Sequence, residues 1–457
     1  MVRVARRTAR LPARLAARLP ALRAALVVVA LASAGCGVPP APGGPSASGS
    51  GPVPASEPVQ FLVFGDPEEI QAYRDIIEAF RAIEPGIPVQ LIEASDRTDL
   101  LTRLSTSFAG GRPPDVFLIN YRFYAQFAAR GVLEALGDRM AASATLADSE
   151  FFGEALVPFQ FGGRQICLPQ NISSLVVYYN RDLFQAEGVT EPEPGWQWRG
   201  MVEKAQALTK DLDGDGMAEQ YGLGIDPILI RLAPFLWSAG AELIDDPERP
   251  TRLALDTPEA QRVLSSFFAL RLANGVIPSD IERESEDDES RFLNGRTAMF
   301  LDSRRATPIL RATSAFDWDV APLPVFGRES SILHSDAYCM AAASRQKDAT
   351  WRFIEFALGP EGQRLAAATG RTVPSIRSVA ESRAFLDPGA KPANSRVWLD
   401  IVPTLRSVPA ISTWPEIEDA TSPILEAAMF GEVPPGDLAQ LLDDATRGIF
   451  ARAEYGD

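Results

Sequence analysis

The chain has 457 residues, of which 46% are hydrophobic and 23% are charged, and its mean hydropathy is −0.03. This composition is typical of a globular protein with two or three domains, and it excludes a chain that is disordered or membrane-embedded throughout. A single histidine, His334, and three cysteines leave few ligands for a transition metal. The sequence therefore argues against zinc enzymes and histidine-based proton-transfer enzymes.

Charge is distributed unevenly along the chain. The formal net charge is −16, but residues 1–35 contain seven arginines and no acid, so removing those seven positive charges leaves −23 for the remainder. Such an acidic surface argues against a partner that is a nucleic acid or an anionic lipid surface.

The N-terminus has the pattern of an export signal. Seven arginines precede an apolar run at residues 24–34, which is too short to span a bilayer comfortably. Residues 31–36, LASAGC, resemble a bacterial lipobox. This predicts a lipoprotein signal peptide at residues 1–35 and lipidation of Cys36. Ser33 stands where a lipobox usually has leucine, so an ordinary signal peptide followed by a chance cysteine remains the alternative.

Residues 36–58 predict a flexible tether, because they consist almost entirely of Gly, Pro, Ala, Ser and Val. A flexible coil of this length spans about 25 Å. We expect an exported protein that is anchored by lipid to the outer face of the cytoplasmic membrane. A disordered tail without an anchor would have the same composition.

Strands and helices alternate in the next segment. A β-branched and aromatic strand at residues 59–64 ends at Asp66-Pro67, where a helix begins, and further strands are predicted at residues 89–92 and 115–119. This rhythm predicts a parallel sheet with helices on its faces. Ligands bind beyond the carboxyl ends of such strands, which here means around Asp66 and residues 120–122.

Several sequence stretches follow one another in an order that resembles extracellular solute-binding proteins of the maltose-binding type. They are PDVFLI at 114–119 with GVLEAL at 131–136, LP at 168–169 with VYYNRDLF at 177–184, FLNGRTAM at 292–299, and WRFIEF at 351–356. Each motif is loose by itself, but their common order behind a lipobox makes the resemblance specific.

The resemblance implies an α/β protein with the two-lobe periplasmic-binding-protein type II fold, in which a ligand cleft lies between lobes joined by several crossings of the chain. We expect crossings near residues 170–174, 318–322 and 373–375. These positions assign residues 59–170 and 321–374 to the N-lobe, and residues 171–320 and 375–457 to the C-lobe. The last segment would supply C-terminal helices.

In this family the solute binds in the cleft, where aromatic faces and planar hydrogen-bonding groups recognise sugars. The candidate ligand-binding residues are the polar and aromatic side chains expected at cleft-facing loops: Asp66, Asn120, Tyr121, Arg122, Asn171, Trp237, Asp302, Arg304, Arg305, Asp336, Tyr338 and Trp414. Trp414 is the strongest stacking candidate. Core packing is the alternative for both tryptophans, helix capping for Asp66, and a hinge turn for Asn171.

Arg304 and Arg305 depart from the family pattern, since many relatives have a glycine and a tryptophan at about this point. Two adjacent guanidinium groups favour phosphate, sulfate or carboxylate, and they also bind neutral diols. The pair therefore favours a charged or hydroxyl-rich solute. The alternative is a pair of salt bridges with nearby acids.

Alternating carboxylates at Asp211, Asp213 and Asp215, with Gly216 in sixth position, resemble a calcium loop. Position twelve, however, is Gly222 instead of a bidentate glutamate. A turn before a strand explains the same residues. We therefore expect no metal and no cofactor, with calcium as the alternative.

Cys167 and Cys339 both fall in the predicted N-lobe sheet. Export permits a disulfide, but cross-strand geometry is restrictive, so we expect two buried free thiols. His334 alone is expected to be structural.

The leading functional hypothesis is a membrane-anchored, monomeric receptor for an ABC importer. It would capture a carbohydrate-like solute, such as an oligosaccharide, a polyol or a sugar or glycerol phosphate, by lobe closure, and would deliver it unchanged to the permease subunits. One alternative is an exported carbohydrate-active enzyme, although the sequence contains no G-x-S-x-G motif, P-loop or dinucleotide fingerprint. Another is a sensory or adhesive binding lipoprotein.

Overall fold

Two β-sheets, each covered by helices, organise the computed structural model, which describes residues 57–455. In chain order the strands are β1 (Val59–Val63), β2 (Val89–Glu93), β3 (Val116–Asn120), β4 (Leu133–Glu134), β5 (Gln160–Phe161), β6 (Arg164–Gln165), β7 (Leu168–Pro169), β8 (Ser173–Ser174), β9 (Val176–Asn180), β10 (Tyr221–Gly224), β11 (Thr297–Asp302), β12 (Trp318–Ala321), β13 (Ser331–His334), β14 (Asp336–Ala341) and β15 (Leu405–Arg406).

The α-helices follow the same order along the chain. They are α1 (Pro67–Ile83), α2 (Arg97–Ala109), α3 (Tyr121–Ala128), α4 (Gly137–Ala141), α5 (Gly153–Leu156), α6 (Arg181–Ala186), α7 (Trp198–Leu208), α8 (Leu229–Ser238), α9 (Pro258–Leu272), α10 (Asp280–Ser285), α11 (Asp288–Leu293), α12 (Thr307–Thr313), α13 (Lys347–Leu358), α14 (Pro360–Ala368), α15 (Arg377–Ala380), α16 (Val397–Asp400), α17 (Trp414–Met429) and α18 (Pro435–Phe450). Short 3₁₀ turns occupy Asp148–Glu150, Val157–Phe159, Arg304–Ala306 and Val402–Thr404.

The N-lobe sheet has the order β2-β1-β3-β14-β4, with β7 paired to β14. Strand β1 is parallel to β2 and β3, as the alternation of strands and helices predicts, whereas β14 enters antiparallel to β3 from far along the chain. Helix α1 begins with Pro67 at its first position, and its apolar face carries Tyr73 and Phe80 into a core with Phe61 and Phe353. This packing places the carboxyl ends of β1 and β3 at one edge of the lobe.

The C-lobe sheet has the order β10-β11-β9-β12, in which β10 and β11 are parallel and β9 is antiparallel to both of its neighbours. Tyr178 of β9 is fully buried against Trp318 and Trp398. A Cβ added to Gly222 of β10 would lie 2.0 Å from the carbonyl oxygen of Ala205 in α7. Glycine is therefore required for this helix to lie directly on the sheet.

The segments that connect the lobes are hydrogen-bonded to one another. Strand β8 of the first crossing pairs antiparallel with β13 of the second, and Asn171 forms a bridge with Pro374 of the third. The second crossing lies later than the sequence indicates, because the Val325 N–H still donates to the Trp196 carbonyl and the chain enters the N-lobe sheet only at Asp336. Residue 321, the expected lobe boundary, is the last residue of β12, and the prolines that follow it end the strand. The chain crosses into the N-lobe about ten residues later.

Cys167 and Cys339 form a disulfide, so the expectation of two free thiols is wrong. Strand β7 runs antiparallel to β14 with Leu168 opposite Tyr338, and this register places the two cysteines directly opposite each other, with 4.6 Å between their Cα atoms. The sequence does not reveal this register, since the strands are 172 residues apart.

The predicted signal peptide, Cys36 and the tether up to residue 56 lie outside the residues that the structure describes. From residue 57 to 455, no helix is both long enough and apolar enough to cross a membrane.

Candidate functional site

A cavity of about 330 Å³ lies where the carboxyl ends of β1, β3 and β11 meet the crossings. Both lobes and the crossings contribute to its walls. Its lining residues are Phe64, Glu69, Arg97, Asn120, Arg122, Asp336, Arg371 and Thr372 from the N-lobe side, Asn171, Ser173 and His334 from the crossings, and Ile228, Ile230, Arg231, Asp302, Ser303, Arg305 and Glu418 from the C-lobe side. A larger groove of about 430 Å³ is lined only by C-lobe residues. Because the smaller cavity is bounded by both lobes and the groove by one, we place the candidate site in the cavity between the lobes, which we call the cleft.

A network of amides and one carboxylate forms the N-lobe wall. Asn120 ends β3 and is paired with Asp336 at the start of β14, and its Nδ2 donates to Asp336 Oδ1 over 3.1 Å. Asn171, on the first crossing, donates from Nδ2 to the other Asp336 oxygen over 3.4 Å, and its own Oδ1 accepts from the Asp336 backbone N–H. Asp336 thereby ties the N-lobe sheet to a crossing.

Arg371, on the N-lobe side of the cleft, is paired with two acidic side chains. Its Nε lies 2.5 Å from Glu69 Oε2, and its Nη1 forms an ion pair with Asp66. Burial, which lowers the pKa of Arg371, is outweighed by Glu69 and Asp66, so that pKa is raised. Burial also raises the pKa of Glu69, against the effect of Arg371. The Arg371 guanidinium is thus fixed between two carboxylates, those of Glu69 and Asp66.

The C-lobe wall is centred on Asp302, the last residue of β11. Its Oδ1 accepts from Arg231 Nη2 over 2.8 Å, and its Oδ2 lies 3.4 Å from Arg305 Nε. Burial, which would raise the pKa of Asp302, is outweighed by Arg231 and Arg305, and that pKa is about 2. Asp302 is therefore a carboxylate at neutral pH, shared by two guanidinium groups.

One ion pair joins the two walls. Arg122 of α3 donates to Glu418 of α17 over 2.6 Å, and the side chains are 7% and 16% exposed. Glu418 also accepts from the Trp414 indole N–H over 2.8 Å. Because α17 packs against α8, α9 and α18 and also touches α3, this pair connects C-lobe helices to the N-lobe.

Half of the twelve predicted ligand-binding residues line the cleft. They are Asn120, Arg122, Asn171, Asp302, Arg305 and Asp336. Asp66 lies at the rim, where it is bound to Arg371 and caps no helix with its side chain. The structure thus brings together the predicted polar residues that follow strand ends.

Arg304 lies in the core, although the sequence places it beside Arg305 in the cleft. It is 1% exposed, and its guanidinium carbon lies 4.3 Å from the Phe385 ring centroid and 4.6 Å from that of Trp398. Burial lowers its pKa to about 9. The adjacent pair therefore does not act as one anion-binding unit, since consecutive residues of the 3₁₀ turn point in different directions.

The predicted aromatic platforms are also absent from the cleft. Trp414 and Tyr338 are fully buried, as is Tyr121, and Trp237 is 2% exposed with the Arg406 guanidinium 4.6 Å from its ring centroid. Core packing, the alternative for the tryptophans, is what the structure shows. Among the lining residues of the described chain, Phe64 is the one aromatic side chain other than His334.

Sequence reasoning missed several charged lining residues, notably Glu69, Arg97, Arg231, Arg371 and Glu418. Glu69 stands shortly after the first strand, in the first turn of α1, where pairing with the helix dipole is the ordinary role of a glutamate. Arg231 and Glu418 lie inside helices, where the sequence gives no indication of which turn faces the cleft.

The acidic loop before β10 is an exposed turn. Asp211, Asp213, Asp215 and Glu219 place one carboxylate oxygen each within 4.8 Å of one another. Asp211 accepts the backbone N–H groups of Gly214 and Gly216, and these hydrogen bonds lower its pKa. The Asp211 carboxylate thus folds the turn onto itself through these hydrogen bonds.

Comparisons with known proteins agree with this architecture. Residues 65–364 match the family model described as bacterial extracellular solute-binding protein. A mannitol-binding protein of Pseudomonas aeruginosa is 24% identical over 409 residues, covering 83% of this chain and 90% of its own. A Brucella abortus protein, named for binding without a stated ligand, is 24% identical over 374 residues, covering 79% of this chain and 86% of its own.

Among solved structures, an ABC substrate-binding protein from Listeria monocytogenes in complex with cycloalternan matches with a TM-score of 0.78 at 22% identity. The match covers 86% of this chain and 98% of that one. The two-lobe fold expected from the sequence motifs is thereby confirmed. The chain belongs to the bacterial extracellular solute-binding protein family.

Proposed function

We propose that this chain captures a small, hydroxyl-rich solute of the carbohydrate or polyol type outside the cytoplasmic membrane and delivers it unchanged to the permease of an ABC importer. One observation carries the proposal: a cavity of about 330 Å³ has polar walls from both lobes and from the crossings that join them. A solute in this position would contact both lobes and the crossings that join them.

The chemistry of the cleft suits hydroxyl groups. Asp336 offers carboxylate oxygens that accept from hydroxyls, and Asn120 and Asn171 offer both amide donors and acceptors. Because Arg231 and Asp302 lie on the opposite wall, only the closed state makes all contacts with the solute. Binding therefore shifts the population toward that state, which the permease would recognise.

The names of the relatives support the solute class and the role. One is a mannitol-binding protein, and another is an ABC substrate-binding protein whose structure contains cycloalternan. Members of the family are binding proteins, and the proposal involves no cofactor and no covalent step.

A thermal-shift panel of mono- and oligosaccharides and polyols tests the solute class. A solute that binds only the folded chain raises the melting temperature with concentration, by the amount that its affinity dictates. We expect Asp336→Ala to abolish the shift and Asp348→Ala, whose side chain is 94% exposed, to leave it intact. Equal shifts in both variants would remove the cleft from binding. Recovery of a chemically altered solute after incubation would show an enzyme instead.

The membrane anchor is proposed from the sequence of residues 31–36. In the native host, the wild-type protein should fractionate with the membrane and incorporate a labelled fatty acid. The variant Cys36→Ser should do neither while keeping its melting temperature. Membrane association that persists in this variant would contradict a lipid anchor at Cys36.

A further inference from the structure

Arg231 has hydrogen-bonding capacity that the protein leaves unused. Its side chain is 7% exposed, and Nη2 donates to Asp302 over 2.8 Å. Its Nε and Nη1 are buried and have no partner among the described residues. Leaving the N–H groups of a buried cation unpaired is costly, and native structures rarely do so without a purpose. Since Arg231 lines the cleft, an acceptor brought by the solute would satisfy them.

The carboxylate that pairs with Arg231 is shared with a second arginine. Asp302 is shared between Arg231 and Arg305, and the second acid near Arg305, Glu289, lies 3.5 Å from its Nη2. His334, beside them in the cleft, is neutral, because burial and then Arg231 hold its pKa well below its usual value. Among the described residues, Arg231 therefore has only a share of one carboxylate at ion-pair distance.

Arg97 is a second cation whose donors are free. It lines the cleft at the start of α2, and within residues 57–455 it donates no hydrogen bond and forms no ion pair. Its guanidinium carbon lies 6.0 Å from the Phe64 ring centroid and 5.5 Å from that of Phe123. These rings position the guanidinium through its faces and leave its N–H edges for a ligand.

Among the cleft arginines, Arg97 differs from the other four in its surroundings. Arg122, Arg231, Arg305 and Arg371 each have a carboxylate partner within ion-pair distance. The Arg97 side chain is exposed, and partial burial and the neighbouring Arg122 lower its pKa, whereas Asp336 raises it. An anion at this point would offset the repulsion from Arg122.

We propose that the solute carries an anionic oxygen group, a phosphate ester or a carboxylate, which Arg231 and Arg97 receive. This inference rests on the proposed function and narrows its solute class. Anionic oxygens accept from guanidinium edges and compensate positive charge, whereas a neutral hydroxyl does not compensate charge and adds a donor of its own. The near absence of aromatic faces in the cleft also disfavours a solute bound mainly by ring stacking.

Matched pairs of probes test the inference by titration calorimetry on the complete chain. The pairs share a skeleton and differ in charge: glucose against glucose 6-phosphate and glucuronate, and glycerol against glycerol 3-phosphate. We expect at least one anionic member to bind at least about tenfold more tightly than its neutral counterpart. The phosphate and carboxylate arms distinguish the two sources of negative charge.

Three variants connect that preference to the proposed residues. Arg97→Ala and Arg231→Lys should each weaken binding of the preferred anion about tenfold or more, because a charge-assisted hydrogen bond is lost or misplaced. Arg112→Ala, at an exposed arginine that does not line the cleft, should match the wild type. The melting temperature of each unliganded variant shows whether it is folded, and Arg97→Ala keeps the test valid if Arg231→Lys is unstable.

Two results would overturn the inference. If no anionic probe exceeds its neutral counterpart, the anionic class is wrong, and binding of the neutral probes in that case leaves the proposed function standing. If an anion is preferred but Arg97→Ala and a folded Arg231→Lys bind it as the wild type does, these residues do not receive it. A chain that binds no small solute in either this panel or the sugar panel fails the proposed function as well.

Discussion

Arg122 of the N-lobe and Glu418 of the C-lobe helix α17 form an ion pair across 2.6 Å, in which both side chains are largely buried. Burial, which lowers the pKa of Arg122, is outweighed by Glu418, so the pKa is raised. The pair thus holds the two walls of the cleft together at one charged contact, and it would need to adjust when the lobes separate.

Glu418→Gln should destabilise the protein by about 3 kcal/mol, because removal of one partner leaves a buried charge uncompensated. Urea unfolding measures the change. Glu416→Gln is the matched control on the same helix. Its ion pair with Arg452 is more than half exposed on both sides, so its loss should cost no more than about 1 kcal/mol. Equal effects of the two substitutions would show that the Arg122–Glu418 pair contributes no more than a surface pair.

Stability should depend on Asp302 at acid pH. Its pKa of about 2 in the folded chain lies below the ordinary value of about 3.9, so its contribution is present above pH 4 and is lost as the pH falls through 2. Asp302→Asn should lower the free energy of unfolding by roughly 2 kcal/mol at pH 7 and by progressively less toward pH 2. Asp348→Asn, at an exposed site, is the control. A constant difference between wild type and Asp302→Asn across this range would contradict the shift.

The disulfide should stabilise the fold strongly, since it closes a loop of 172 residues in the unfolded chain. We expect Cys167→Ala combined with Cys339→Ala to lower the free energy of unfolding by about 2–5 kcal/mol, and a reductant to lower it similarly in the wild type only. Peptide mapping by mass spectrometry without reduction should find the two cysteines linked. Finding them as separate thiol peptides in the exported protein would refute the pairing.

Substitution by alanine should change the stability of the protein in opposite directions at Gly222 and at Gly200. Gly222→Ala forces a Cβ against the Ala205 backbone and should destabilise the chain by about 1–3 kcal/mol or more. Gly200→Ala, inside α7 and with open space around it, should stabilise by up to about 1 kcal/mol because alanine favours helix. Thermal unfolding distinguishes the two, and a neutral Gly222→Ala would show that α7 can move off β10.

Packing around Gly222 also explains why the acidic loop has no glutamate in its twelfth position. Gly222 stands in the twelfth position of the loop that begins at Asp211, where a calcium loop has its bidentate glutamate. The structure shows that packing of α7 on β10 leaves no room for a side chain there. This restriction comes from tertiary structure and has no local sequence signal.

Local patterns predicted the strand ends well. Asn120, Asp302 and Asp336 were placed in the cleft because they border apolar strands, and strand ends are determined by short-range sequence. The direction of large side chains was not predictable in the same way. Arg304 is buried by Phe385 and Trp398, more than eighty residues later, and Trp414 by the packing of its own helix. Charged cleft residues within helices, such as Arg231, were missed because their orientation depends on how that helix docks.

Strand β8 of the first crossing is paired with β13 of the second, with Ser173 opposite His334. Two connections linked in this way cannot bend independently, since a change in the backbone of one would break hydrogen bonds to the other. We therefore expect the lobes to open and close by a rotation near this paired segment and not by sliding past each other. His334 and Ser173 belong both to this paired segment and to the wall of the cleft, so an occupant of the cleft would contact the connection between the lobes.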